Sequence, residues 1–173
     1  KRIAEKLFKS LTEKVDANRG IRRPTPLREL CDITGAEQAQ VNRIIDRFRK
    51  PGRTFLMPPI DRNLDDKTVI DISHESLMRV WTTLGRWVDD EAQSAGIYRR
   101  LAETAQLHAD GSAGLYHDPD LQIALSWQDN EHPTEAWGSR YHSEYSQAIG
   151  FLDQSHQVKL KEQQAEEAAR EHE

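Results

Sequence analysis

The chain has 173 residues, of which 31% are charged and 36% are apolar, a length that suits one large domain or two small ones. Its purely apolar runs are only a few residues long, so the sequence predicts neither a membrane span nor a signal peptide. The single cysteine, Cys31, excludes an internal disulfide framework and a multi-cysteine metal cluster, and it fits a reducing cytoplasm. Because the chain begins at Lys1 in helical periodicity, we expect it to be part of a longer protein.

The net charge of −5 hides a strong asymmetry along the chain. Residues 1–60 carry 14 Lys and Arg against 7 Asp and Glu, whereas residues 61–173 carry 10 against 22. This contrast predicts two modules with different surfaces. The basic module could meet nucleic acid, a nucleotide or the acidic module.

The first part of the chain has the order of elements that is typical of a winged helix. Apolar spacing and β-prone runs predict three helices over 1–16, 27–33 and 37–49, and a hairpin over 54–57 and 68–72. Thr25 and Thr34 are expected as helix N-caps, with Pro26 at the first helical position. The second and third helices, joined by a turn that contains Gly35, form a predicted helix-turn-helix.

The third predicted helix carries a group of basic residues, namely Arg43, Arg47, Arg49 and Lys50. One interpretation is a recognition helix whose cations approach DNA phosphates. The alternative is an ordinary solvated helix face, because Asp46 and Asn42 dilute the positive charge. Few residues near the helix start could read base edges; the candidates are Gln38, Gln40 and Asn42.

Helical periodicity resumes at Glu75 and continues to the end of the chain. We expect a helix to Glu91, a second helix after a break at Gly96, and further helices beginning at Asp118–Pro119, Pro133 and Ser143. The fold class is therefore mainly α: a winged helix, an α-helical bundle and an extended C-terminal helix. The predicted domains are a winged-helix domain over 1–72, a helical bundle over 73–156 and a charged helical linker, with the possibility of a nascent coiled coil, over 157–173.

Several kinds of chemistry are excluded by the motifs. None of the nine glycines precedes a lysine, so there is no Walker A phosphate loop, and no G-x-S-x-G nucleophile motif occurs. His74–Glu75 resembles the start of a zinc-protease helix, but Met78 stands where the second histidine ligand would be. Cys31 is expected to be a small buried apolar residue and not a nucleophile. The sequence thus predicts no catalytic residues and no metal site.

A set of segments resembles bacterial STAND proteins, the signal-transduction ATPases with numerous domains, in their novel STAND NTPase group. The resemblance begins at the strand-to-helix segment Val69–Trp81, which contains Ser73–His74–Glu75. It continues in the same order through residues 84–91, 98–103, 114–116, 121–127 and 151–155. It thus covers about half of the chain, with a winged-helix order upstream of it.

The resemblance implies that the chain is the non-catalytic regulatory arm of a signalling ATPase, in bacterial signalling or antiphage defence. Its expected partners are an ATPase core upstream of Lys1, which binds ADP or ATP with magnesium, and a repeat-containing sensor downstream of Glu173. It also implies oligomerisation on activation and a winged helix that acts as an intramolecular clamp, so that nucleic acid is not expected as a partner. The expected location is the cytoplasm, with no membrane contact within these residues.

The resemblance further implies a nucleotide-sensing role for His74 and Ser73. Ser73–His74–Glu75 is similar to the Met-His-Asp motif of apoptotic and plant immune ATPases, in which the histidine touches the β-phosphate of ADP. Only the histidine is identical. A helix beginning at Ser73 would place His74 at a positive helix end. The alternative is purely structural: Ser73 caps the helix, Glu75 complements its dipole and His74 is an ordinary first-turn residue.

Overall fold

The structure is a computed structural model that describes residues 2–172, and within them it is mainly helical. The elements in chain order are α1 (Arg2–Ser10), β1 (Thr12–Asp16), β2 (Arg19–Arg22), β3 (Thr25–Pro26), α2 (Leu27–Thr34), α3 (Gln38–Arg47), β4 (Leu56–Met57), β5 (Val69–Ile72), α4 (Leu77–Val80), α5 (Thr82–Ala109), α6 (Asp120–Glu131), α7 (Glu135–Gly138) and α8 (Tyr145–Glu171). They form two compact units that divide between Gln93 and Ser94. The predicted domain limits after residues 72 and 156 stay predictions.

The helix predicted over 1–16 is wrong beyond Ser10. Helix α1 ends at Ser10, and the chain then forms β1, which pairs antiparallel with β2. The Thr12 hydroxyl lies 3.3 Å from the Phe8 carbonyl oxygen near the end of the helix, and the Asp16 carboxylate accepts a hydrogen bond from the Asn18 N–H in the turn. Val15, which extends the four-residue apolar spacing, is 58% exposed. Its spacing therefore does not mark a buried helical face.

The helix-turn-helix pair and the hairpin strands are present. Helices α2 and α3 are separated by Gly35, whose φ of 67° lies in the left-handed region that favours glycine. The predicted cap at Thr34 is wrong, because its hydroxyl donates to the Leu30 carbonyl within α2 and α3 begins at Gln38. Strand β4 pairs antiparallel with β5, and β3 pairs along the other edge of β5. Thr25 and Pro26 thus form a strand where a cap and a first helical residue were expected.

The core of the first unit is built from α1, α2, α3 and the β3–β5–β4 sheet. Buried apolar side chains from each of these elements form one cluster, including Leu7, Phe8, Leu27, Leu30, Val41, Ile45, Leu56, Ile70 and Ile72. Trp81 and Trp87 pack against this cluster, and both ring centroids lie within 6.1 Å of that of Phe8. The two tryptophans therefore belong to the packing of this unit, as their helical spacing predicts.

Helices α4 and α5 differ from the predicted pair. Helix α4 has only four residues, and the backbone turns at Trp81 before α5 begins. Helix α5 then runs unbroken for 28 residues through Gly96, so the predicted break is wrong. A glycine inside a helix costs only about 1 kcal/mol relative to alanine. The apolar residues on both sides of Gly96 bury enough surface to outweigh that cost, including Leu84, Val88, Tyr98 and Leu101.

The second unit is an array of helices around an aromatic cluster. The Tyr98 ring lies against those of Trp127 and Trp137, and the Tyr98 hydroxyl donates to the His142 carbonyl at 3.0 Å. Helices α6 and α8 begin two residues after the predicted Asp118 and Ser143, at Asp120 and Tyr145. Helix α8 has 27 residues and is exposed throughout 160–172, as expected for an extended C-terminal helix. Within residues 2–172, no helix has the length and apolar character that a bilayer crossing requires.

Candidate functional site

The segment from Ser73 to Ser76 connects β5 to α4 and is a turn. The predicted helix start at Ser73 is wrong, because α4 begins at Leu77. The His74 and Glu75 carbonyl oxygens accept hydrogen bonds from the Leu77 and Met78 N–H groups. Ser73 is therefore not the helix cap, and His74 does not lie in the first turn of a helix.

His74 is exposed at the surface of the first unit. No described side chain or backbone group makes a hydrogen bond to its imidazole, and Glu75 and Ser76 beside it are also exposed. An imidazole in this position can donate to or accept from a group that approaches from outside the chain. The nucleotide-sensing role of His74 stays a prediction.

Hydrogen bonds fix the backbone that precedes His74, at the end of β5. The Ser73 N–H donates to the Phe55 carbonyl at 2.9 Å. Arg22 Nη1 donates to Asp71 Oδ2 at 3.1 Å and to the Ile72 carbonyl at 3.2 Å, which ties the end of β5 to β2. A turn fixed at its strand end presents its exposed side chains from a defined place. His74 is thus a surface residue on an anchored segment.

The Ser73 hydroxyl is the one unusual group in this segment. Its oxygen is buried and has no hydrogen-bond partner among the described residues. Buried hydroxyl groups are nearly always paired, and an unpaired one costs about 1–3 kcal/mol. Ser73 and His74 are adjacent in the chain, but one side chain points inward and the other is exposed. The structure therefore does not bring them together as a pair of ligands.

The basic residues of α3 and of the turn that follows it do not form one surface. Arg43, Arg47 and Lys50 are exposed, whereas Arg49 is 4% exposed. Arg49 Nε lies 2.7 Å from Asp46 Oδ1. Its Nη1 donates to three backbone carbonyls in the loop after β4, those of Pro58, Pro59 and Arg62. The guanidinium group fastens this loop to the end of α3, a role that the residue pattern did not indicate.

An open groove lies between the β1–β2 turn and helices α4 and α5, and no pattern in the sequence indicates it. We call it the hairpin groove. Its volume is about 590 Å³. Three stretches of chain line it: the β1–β2 hairpin with residues 14 and 17–20, the segment around α4 with residues 75, 78 and 79, and the start of α5 with residues 82, 85, 86, 88 and 89. Because these stretches meet only through the unexpected β1–β2 hairpin, no spacing along the chain could predict the groove.

Cys31 lies partly buried on α2. Burial, followed by the nearby negative charges of Asp32 and Asp66, raises the pKa of its thiol. The thiol therefore stays protonated at neutral pH, which disfavours a role as a nucleophile. Within residues 2–172, no three His, Cys, Asp or Glu side chains are arranged so that they could hold a metal ion.

The comparison with protein families gives one finding. Residues 1–113 match the family described as novel STAND NTPase 1. This match covers more than half of the chain, including the whole first unit and the start of the second. Neither the curated proteins nor the solved structures give a match.

Proposed function

Because the chain belongs to the novel STAND NTPase 1 family, we propose that it is the regulatory arm of a signalling NTPase and has no catalysis of its own. The arm holds an ATPase core of the parent protein in an ADP-bound inactive state, and it links that core to a C-terminal sensor. The core would supply the site for ADP or ATP and magnesium. The setting is the bacterial cytoplasm, in signalling or antiphage defence, with oligomerisation following activation.

The topology of the first unit supports a winged-helix interpretation. Helix α1 is followed by a helix-turn-helix pair, and the β4–β5 hairpin pairs with the short strand β3 that precedes α2. This is the order of three helices and a small sheet from which the winged helix is built. The added β1–β2 hairpin is the departure from that order. A compact unit of this kind can move as one body against a neighbouring domain.

The observation that carries the proposal is the position of His74 in a chain of this family. The residue is exposed, has no partner within the described residues and stands on a turn anchored by Arg22 and Phe55. In our proposal His74 donates a hydrogen bond to the β-phosphate of ADP bound to the core. Loss of such a charge-assisted contact costs about 1.5–3 kcal/mol. That is about a tenfold to hundredfold shift in an off/on equilibrium.

The experiment that tests this role is His74→Ala in the full-length parent, measured as basal signalling without a trigger. We expect basal signalling to rise, while the thermal stability of the isolated 173-residue chain is nearly unchanged because His74 is exposed. The matched control is His117→Ala, since His117 is also exposed but lies in the second unit. Equal basal signalling in the wild type and both variants would show that His74 does not hold the core in its inactive state.

Helix α8 supports the proposed link to a sensor. From Lys161 to Glu171 it carries Lys, Glu, Gln, Ala and Arg without a bulky apolar side chain. Such a helix is stabilised by propensity and surface charge pairs rather than by a buried face. It is suited to span the distance between domains, as a solvated linker.

The second candidate function is a winged-helix DNA-binding regulator. It is favoured by the exposed cations Arg43, Arg47 and Lys50, whereas Arg49 is held by the loop after β4 and is not free to reach a phosphate. A titration of the 173-residue chain with random duplex near physiological salt distinguishes the two functions. If the chain is a regulatory arm, we expect its dissociation constant for duplex DNA to be no lower than about 10⁻⁴–10⁻⁶ M, the usual nonspecific range. Nanomolar, sequence-dependent binding would favour the DNA regulator.

A further inference from the structure

The hairpin groove carries positive charge that the chain itself does not neutralise. Arg19, Arg79 and Arg86 line it, all three are exposed, and none has an ion-pair partner among the described residues. Lys14 also lines the groove, but its ammonium group is paired with Asp89 at 2.6 Å. Three other arginines of the first unit are paired within it, as Arg22–Asp71, Arg28–Asp66 and Arg49–Asp46.

The groove also contains negative and apolar groups. Glu75 is its other carboxylate, so its four cations and two carboxylates leave a net charge of about +2 if all are ionised at neutral pH. The side chains of Met78 and Val88 contribute an apolar part of the lining. A ligand that fits must therefore offer separated negative charges and an apolar surface, rather than a single dense cluster of charge.

Two glycines shape the groove. A Cβ at Gly20 would lie 3.0 Å from Met78 Sδ and 3.3 Å from Val88 Cγ1. A Cβ at Gly85 would lie 3.1 Å from the Met78 carbonyl oxygen. The absence of side chains at these positions lets the hairpin approach Met78 and Val88 and lets α4 approach α5. The cations of β2, α4 and α5 thereby line one groove.

We infer that the hairpin groove is a docking site for an acidic polypeptide segment of a partner protein. Carboxylates of the segment pair with Arg19, Arg79 and Arg86, whose planar guanidinium groups match a carboxylate with two parallel hydrogen bonds. Its apolar side chains pack on Met78 and Val88. A compact polyphosphate fits less well, because Glu75 repels it and the open groove leaves it hydrated. This inference stands apart from the role of His74.

The test uses the 173-residue chain and a fluorescein-labelled peptide in which Glu alternates with Leu, with a Gln–Leu peptide as the uncharged comparison. Fluorescence anisotropy measures the affinity for each peptide. The groove variant carries Arg19→Gln, Arg79→Gln and Arg86→Gln. The matched control carries Arg43→Gln, Arg53→Gln and Arg100→Gln, which remove the same charge from exposed positions outside the groove. Circular dichroism and thermal unfolding verify that both variants fold.

We expect the Glu–Leu peptide to bind the wild type and the control, and to bind the groove variant at least about tenfold more weakly. Rising salt should weaken this binding. Three results would overturn the inference: no preference for the Glu–Leu peptide, an equal loss in both triple variants, or displacement of the peptide by inorganic triphosphate at lower concentration than by unlabelled peptide.

A second measurement on the wild type does not depend on the variants. Addition of the Glu–Leu peptide to isotope-labelled chain should shift amide resonances in 14–20, 75–79 and 82–89, the stretches that line the groove. Shifts confined to 43–50 on α3 and the turn after it would contradict the inference. This measurement decides the matter if the groove variant fails to fold.

Discussion

Replacement of Arg49 by methionine tests whether one buried guanidinium holds the loop after β4. The arginine is 4% exposed and makes an ion pair with Asp46 and three hydrogen bonds to loop carbonyls. Arg49→Met keeps the apolar stem of the side chain but removes every one of these interactions. Hydrogen bonds to a charged group contribute about 1.5–3 kcal/mol each where they are shielded from water.

The expected cost is smaller than the sum of these interactions. The Asp46 side chain is 43% exposed, and the loop residues Pro59 and Arg62 are also exposed, so we expect water to replace some of the lost donors. We therefore expect the β4–β5 region to lose about 2–4 kcal/mol of stability. Arg47→Met, two residues away on the exposed face of α3, should cost less than about 0.5 kcal/mol.

The assay is amide hydrogen exchange at two groups that hold this region together. The Leu56 N–H donates to the Phe48 carbonyl, and the Ser73 N–H donates to the Phe55 carbonyl. A loss of about 2–4 kcal/mol corresponds to exchange that is faster by about thirtyfold to a thousandfold at these amides. If exchange in Arg49→Met is within about threefold of that in Arg47→Met, the Arg49 guanidinium does not hold the loop.

Two further predictions concern the second unit. Gly150→Ala should stabilise the chain by up to about 1 kcal/mol, because Gly150 is exposed inside α8 and an added Cβ has no atom within 4 Å. Gly138→Ala should destabilise the chain, because the added Cβ would overlap the Tyr145 ring. Urea unfolding measures both free energies, and a change of the same sign in the two variants would contradict this prediction. Burial, followed by the influence of Tyr145 and of nearby carboxylates, raises the pKa of Tyr98 from 10.0 to about 12. The folded state thus keeps a proton that the unfolded state releases from about pH 10, so stability should be full below pH 10 and fall between about pH 10 and 12. Tyr98→Phe should reduce that fall, and an unchanged alkaline profile in the variant would assign the effect to other groups.

The sequence predicted those parts of the fold that depend on local pattern. Apolar spacing identified α2 and α3, β-branched runs identified β4 and β5, and the lack of bulky apolar residues after Leu160 identified the exposed end of α8. Each of these signals lies within one element. The chance alignment of Val15 with the apolar face of α1 concealed β1, although the turn residues Asp16 and Asn18 marked the hairpin.

The candidate sites were less predictable because they depend on contacts between distant residues. The sequence selected His74, but it predicted a helix from Ser73, whereas α4 begins four residues later at Leu77. Arg49 looks like its neighbours on α3, and only the return of the loop with Pro58 and Pro59 distinguishes it. The hairpin groove requires the β1–β2 turn to meet α4 and α5, a contact that two glycines permit.

If His74 retains ADP on the parent core, as we propose, the nucleotide content of the purified full-length protein should depend on this residue. The wild type and His117→Ala should copurify with near-stoichiometric ADP. His74→Ala should lose most of it and release labelled ADP about tenfold to a hundredfold faster, because a charge-assisted hydrogen bond worth about 1.5–3 kcal/mol is absent. Equal ADP content and equal release rates in the three proteins would show that His74 does not retain ADP.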